Sequence, residues 1–223
     1  MIDFTRLRRS MVDSQIRPND VTDPRIIGAM LELPRERFVP AERANLAYLD
    51  DDLSVREAGR DRPARFLLEP MVLARLVQAI ELSDDDRVLD VGGTTGYSAA
   101  LLAKLSAHVV ALEDDADLSA AARRNLSGLG VANVEFATGP LAAGTPARSP
   151  YDAILLNGSV ELVPEGLLGQ LKEGGRLATV VRGDLPGRAT LYVRSGGVVS
   201  TRPLFDAVVA PLPGFEAPRG FVF

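Results

Sequence analysis

Short apolar runs recur through the middle of the chain, and the stretches between them carry apolar residues at helical spacing. The runs cover residues 87–91, 109–112, 134–137, 153–156 and 176–181. Runs of this length, rich in Val, Leu and Ile and bounded by turn residues, predict strands buried on both faces. Between the first two, residues 95–105 predict a helix that buries Ala99, Leu102 and Ala103. Residues 116–129 predict another, with Gly130 as its stop, and 162–171 a short one before the Gly174-Gly175 turn. Upstream, Pro70 opens a helix to Leu82 whose buried stripe is Val72, Leu73, Leu76, Val77 and Ile80. Strands alternating with helices predict an α/β fold, a parallel sheet with helices on both faces. The pattern then changes: residues 189–194 and 198–202 flank Ser195-Gly196-Gly197 and predict an antiparallel hairpin at one edge.

The N-terminal part reads differently. Residues 1–20 are polar and mixed, with a short helix expected to begin within 11–16. Asp23-Pro24 is an N-cap and first-turn pair, and Ile26, Ile27, Met30, Leu31 and Leu33 then mark a short amphipathic helix that ends before Pro34. Residues 41–49 predict another short helix, and the charged, turn-rich stretch 50–64 predicts a loop over the domain. The expected division is an N-terminal helical extension and covering loop over 1–63 and a Rossmann-like domain over 64–223. The tail at 211–215 is irregular, and Phe221-Val222-Phe223 is apolar enough to be expected to dock.

Composition narrows the chemistry. The 223 residues are 46% hydrophobic and 25% charged, as in an ordinary globular protein. No apolar run approaches the roughly 18–20 residues of a membrane span, and the basic N-terminus lacks an apolar core after it. A cytoplasmic protein without a membrane partner is expected. The absence of cysteine excludes disulfides, zinc–thiolate sites and cysteine nucleophiles, and no metal is expected. The single histidine, His108, sits at a helix-to-strand connection, and without a G-x-S-x-G elbow it predicts no Ser-His-Asp triad. Net charge is −5, and Arg6, Arg8 and Arg9 are offset by Asp50–Asp52 and Asp84–Asp86, so no nucleic-acid partner is expected.

The candidate chemistry lies in Val88-Leu89-Asp90-Val91-Gly92-Gly93-Thr94-Thr95-Gly96-Tyr97. A strand, a glycine turn, a helix and a second strand ending in an acid form a βαβ unit suited to a nucleoside-bearing cofactor. Glu113 falls about 20 residues beyond the first glycine, where such units place the ribose acid. Asp90, two residues before Gly92, would repel a pyrophosphate and suits a cationic ligand such as S-adenosylmethionine. That disfavours an NAD-binding oxidoreductase. Asn157, ending the fourth strand, faces the crevice where such sheets bind ligands.

These segments resemble the protein-L-isoaspartate O-methyltransferases, in a divergent bacterial branch. The carriers are VLDVGGTTGYSAALLA (88–103), the strand ending at Glu113, YDAILLNGSVELV (151–163) with Pro164, LKEGGRL (171–177), and LPRERFVP (33–40) upstream. The resemblance implies a Rossmann-like S-adenosylmethionine-dependent methyltransferase that methylates a carboxylate of altered aspartyl residues in damaged proteins, with a protein or peptide as its partner. It implies cofactor contacts from Asp90, Gly92, Gly93, Thr94, Gly96, Tyr97, Glu113, Asp114 and Asn157.

The chain also departs from the family. The family's T-I-S-Q-P segment, which faces the methyl acceptor, is Phe66-Leu67-Leu68-Glu69-Pro70 here, without either hydroxyl. Its middle loop glycine is Thr94, and the acid expected after the third strand is Pro140. Glu69 is the polar residue left and the candidate catalytic residue, although a carboxylate there would repel a carboxylate acceptor. It also suits a helix N-terminus. These departures leave two further readings: a non-catalytic member that keeps the fold as a binding module, or a methyltransferase with a different acceptor.

Overall fold

The computed structural model describes residues 2–60, 62–183 and 186–217. Asp3 accepts a hydrogen bond from the Arg6 N–H and starts α1 (Phe4–Met11), earlier than the expected 11–16. A wide helical turn, Val12–Ile16, continues it and buries Val12 and Ile16. Asp23 caps α2 (Pro24–Glu32) as its sequence predicts, and a tight 3-10 turn occupies Ala41–Leu46 where a helix to residue 49 was expected.

The expected loop over 50–64 contains a strand. β1 (Leu53–Arg56) pairs antiparallel with β2 (Arg65–Leu67) in a two-stranded sheet of its own, with an irregular register between Ser54 and Arg56. Leu53-Ser54-Val55-Arg56 alternates apolar and polar, but over only four residues inside a charged, turn-rich stretch, and every one of them is half-buried. Its order comes from backbone pairing.

The remaining elements are α3 (Pro70–Ala79), β3 (Arg87–Val91), α4 (Tyr97–Ala103), β4 (His108–Glu113), α5 (Ala116–Ser127), β5 (Val134–Thr138), β6 (Tyr151–Val160), α6 (Glu165–Leu168), β7 (Leu171–Val181), β8 (Gly187–Ser195) and β9 (Val198–Ala207). A seven-stranded sheet runs β5-β4-β3-β6-β7-β8-β9, parallel through β7 and antiparallel in β8 and β9. The predicted parallel sheet and edge hairpin are both present. Successive β3 residues face opposite sides. Val88 joins a core with Met11, Ile16, Met30, Leu76 and Leu101, while Leu89 and Val91 join a second core with Leu156, Leu167 and Leu212. Residues of 1–63 therefore share the first core with α3 and α4.

The direction of strand order reverses between β3 and β6. The crevice at their carboxyl ends is where open α/β sheets bind ligands. Among the described residues no helix is long and apolar enough to cross a membrane, and no group of three His, Cys, Asp or Glu could hold a metal. Phe221-Val222-Phe223 lie outside the described residues.

Candidate functional site

β3 ends in a turn that lets backbone and side chains crowd together. Gly92 and Gly96 have φ of 69° and 96°, conformations that glycine adopts without steric cost. A Cβ on Gly93 would stand 2.4 Å from Asp90 Oδ2 and 2.5 Å from Ser98 Oγ, so only a hydrogen fits there. Thr94, at the family's middle glycine, also has a positive φ, 53°. A β-branched residue in that region is strained, which accounts for glycine as the family's usual choice.

Asp90 is fully buried at the end of β3. Ser98 Oγ donates to its Oδ2 at 2.8 Å, and Asn157 Nδ2 donates to its Oδ1 at 2.7 Å. Asn157 Nδ2 also lies 3.0 Å from the Val91 carbonyl. Burial pushes the Asp90 carboxyl up to about 6, while Asn157 and Ser98 pull it down. The structure thus joins Asp90, Ser98 and Asn157 into one network beside the Gly93 turn.

Next to this network is a cavity of about 10 Å3, lined by Arg35, Leu68, Gly93, Thr94, Tyr97 and Asn157 among others. Arg35 is buried and donates to the Ala47 carbonyl at 2.8 Å and the Leu68 carbonyl at 2.7 Å. Its guanidinium lies 4.7 Å from the centre of the Tyr97 ring, and Phe38 meets that ring edge-on. Arg35 Nη1, Thr94 Oγ1 and Tyr97 Oη have no hydrogen-bond partner. Buried polar atoms without partners are rare in folded proteins. Their convergence here suits a small polar group.

Glu113 ends β4, as predicted, and its carboxylate is fully engaged. Arg65 grips it with both terminal nitrogens, Nη1 to Oε1 at 2.7 Å and Nη2 to Oε2 at 2.9 Å. The N–H groups of Thr94 and Asp114 donate to the same two oxygens at 3.1 and 3.0 Å. Asp114, with a side chain 38% exposed, accepts at Oδ1 a hydrogen bond from Arg65 Nη1 at 2.7 Å. Burial pushes the Glu113 carboxyl up, against the attraction of Arg65. Sequence reasoning passed over Arg65. The signal was there, a single arginine opening the otherwise apolar Arg65-Phe66-Leu67-Leu68.

The far side of the turn is filled as well. A Cβ on Gly92 would stand 2.5 Å from Leu212 Cδ1 and 3.4 Å from Leu141 Cδ1. Ser159 holds the C-terminal segment in place, accepting the Leu212 N–H at 2.8 Å and donating its own N–H to the Ala210 carbonyl at 2.9 Å. Asp52 ties that segment to the acceptor stretch, accepting the Glu69 N–H at 2.9 Å and the Ala210 N–H at 2.6 Å. Glu69 itself stands at the N-cap of α3 without a capping side-chain bond. Burial, then Asp50, Asp52 and Asp51, push its carboxyl up to about 7.

The residue types suit S-adenosylmethionine, but the conformation does not. The polar space beside Asp90, about 10 Å3, has room for about one water and not for an amino-acid group. The ribose acid is held by Arg65, Leu141 and Leu212 pack against Gly92, and the cavity of about 10 Å3 is far below the roughly 300–1,000 Å3 of typical ligand pockets.

A model of the protein-L-isoaspartate(D-aspartate) O-methyltransferase family matches residues 6–214. The chain is 36% identical over 209 residues to a protein-L-isoaspartate O-methyltransferase of Methanoculleus marisnigri, covering 94% of this chain and 92% of that one. It is 37% identical over 208 residues to one of Rhodopseudomonas palustris, covering 92% and 93%. A solved protein-L-isoaspartate O-methyltransferase superposes with a TM-score of 0.80 at 29% identity, covering 93% of this chain and 66% of that one. The fold is also shared with a Plasmodium falciparum beta-aspartate methyltransferase solved with S-adenosyl-L-homocysteine, at a TM-score of 0.77 and 19% identity, over 95% of this chain and 99% of that one.

Proposed function

The chain belongs to the protein-L-isoaspartate(D-aspartate) O-methyltransferase family, and on that basis we propose that it is an S-adenosylmethionine-dependent O-methyltransferase that methylates a carboxylate of altered aspartyl residues in damaged proteins. The observation that carries this reading is the family match across residues 6–214, which includes the Asp90 turn and Glu113. S-adenosylmethionine supplies a methyl group on a cationic sulfur, and the thioether that departs is neutral. A carboxylate acceptor is already ionised at neutral pH. Such a transfer needs no general acid or base, and much of its rate can come from placement.

The chain's contribution is then positioning. Asp90 and Asn157 would hold the amino-acid part of the donor, the Gly92–Gly96 turn would let it approach, and Glu113 and Asp114 would serve the ribose once Arg65 withdraws. Tyr97 would wall the pocket under Arg35. Glu69 would act at the acceptor. With its carboxyl pushed up to about 7, a large share is neutral at physiological pH, and a neutral acid donates a hydrogen bond to a carboxylate. Residues 1–63 would form the cover over the domain at 64–223, and the cytoplasm is the proposed compartment.

The test is transfer of labelled methyl from S-adenosylmethionine to an isoaspartyl peptide, with the matching normal aspartyl peptide as control. Base-labile incorporation into the isoaspartyl peptide alone is the expected result. Binding of S-adenosylhomocysteine without incorporation would overturn it. It would favour the reading of a member that keeps the fold without this turnover, which Phe66 and Leu68 at the acceptor positions support.

A further inference from the structure

Arg65 occupies the acid that the cofactor fold reserves for a ribose. Its side chain is 2% exposed, and that of Glu113 is 6% exposed. A guanidinium presents two parallel N–H donors to the two oxygens of a carboxylate. A ribose diol presents two O–H donors to the same two oxygens. The remaining bonding directions of Glu113 are taken by the Thr94 and Asp114 N–H groups, so ribose and Arg65 compete directly. Arg65 Nη2 also stands 3.2 Å from where a Cβ on Gly92 would lie, against the turn itself.

The element that carries Arg65 lies outside the main sheet's strand order, with Leu67 buried in the core that Val88 and Val109 share. β2 is three residues long and pairs only with β1, in a sheet separate from the seven-stranded one. Asp52 links the end of that segment, at the Glu69 N–H, to Ala210, two residues before Leu212. Withdrawal of β2 would therefore loosen both obstructions, the guanidinium on Glu113 and the leucine on Gly92. It would also move Phe66, Leu67 and Leu68, the stretch facing the methyl acceptor.

Resting on the methyl-donor reading above, we propose that Arg65 is a built-in occupant of the ribose position, and that S-adenosylmethionine gains the site only when β2 carries Arg65 off Glu113. Cofactor entry then reshapes the acceptor face in the same motion. The apparent affinity of such a site is reduced by the fraction of molecules that are open.

The experiment is S-adenosylhomocysteine binding to the full chain by calorimetry and stopped-flow mixing, for the wild type, Arg65→Met and Arg65→Lys, with thermal unfolding as the folding check. Both variants lose the fork, and the lysine keeps the buried charge should the methionine variant fail to fold. Arg65→Met is expected to bind about tenfold tighter, within the usual range of coupling effects. The wild-type association rate is expected to level off at high ligand, because opening precedes binding, while the variant's rises linearly. Equal, tight binding with linear rates in all proteins would overturn the Arg65 proposal and leave the methyl-donor reading standing. No binding by wild type or by any folded variant at millimolar ligand would overturn both.

Discussion

Removing the Asn157 amide should cost more stability at pH 8 than at pH 5. Asn157 Nδ2 donates to Asp90 Oδ1 at 2.7 Å and lies 3.0 Å from the Val91 carbonyl. Asn157→Ala removes both contacts and leaves a small cavity, and the cavity cost does not depend on pH. The bond to Asp90 does. The Asp90 carboxyl rises from an ordinary 3.8 to about 6 through burial. At pH 5 it is mostly neutral, and the lost bond is worth about 0.5–1.5 kcal/mol; at pH 8 it is ionised, and the lost bond is worth about 1.5–3 kcal/mol. The cost of Asn157→Ala should therefore be about 1 kcal/mol larger at pH 8. The sign for the wild type follows from the same group. A folded value raised above the unfolded one means that the native state holds the proton longer. Its stabilisation is complete below pH 3.8 and is lost as pH rises through about 6, a change of about 3 kcal/mol from Asp90. Urea unfolding of both proteins at the two pH values measures the difference directly. An equal cost at both pH values, or a larger one at pH 5, would refute the assignment of Asn157 as the donor that holds Asp90 ionised.

Other outcomes follow from the same geometry. Thr94→Gly relieves a left-handed conformation that costs an L-residue about 1–2 kcal/mol, and it removes a hydroxyl without a partner. A rise in melting temperature of about 2–4 °C is expected by calorimetry for a chain of this size, and a fall would count against strain at the turn. If Glu69 serves the acceptor as a neutral acid, kcat/KM for an isoaspartyl peptide should decline as pH rises through about 7. Glu69→Gln should flatten that profile, and an unchanged decline would place the titration elsewhere. Restoring the family's hydroxyls with Phe66→Thr and Leu68→Ser should raise turnover on the isoaspartyl peptide. No gain would mean that their loss does not limit the reaction.

Much of the site was legible in residue order. Asp90, Glu113 and Asn157 belong to strands marked by apolar runs, the Gly92–Gly96 turn follows the first of them, and the parallel order brings the ends of β3, β4 and β6 together. The Asp90–Asn157 bond spans 67 residues, yet once both sit on neighbouring strands the pleat and register set their approach. β1 was hard to read, because its alternation spans only four residues within a charged, turn-rich stretch and its pairing lies with residues 65–67. The early start of α1 rests on a polar cap, Asp3, within a stretch whose composition reads as mixed.

By itself the sequence determined the local and periodic features: the alternating strands and helices, the edge hairpin, the glycine turn with its flanking acids, and the family resemblance. Periodicity and turn chemistry act over a few residues, so they can be read in order along the chain. Only the tertiary structure decided what those acids face. Arg65 reaches Glu113 across 48 residues, and Asp52 reaches Ala210 across 158. Leu212 comes to lie on Gly92 through a segment held at Ser159. Nothing local specifies these contacts. They arise from how a short two-stranded sheet and a C-terminal strap pack over the crevice, where a buried carboxylate must find a partner, and there the guanidinium of Arg65 supplies it.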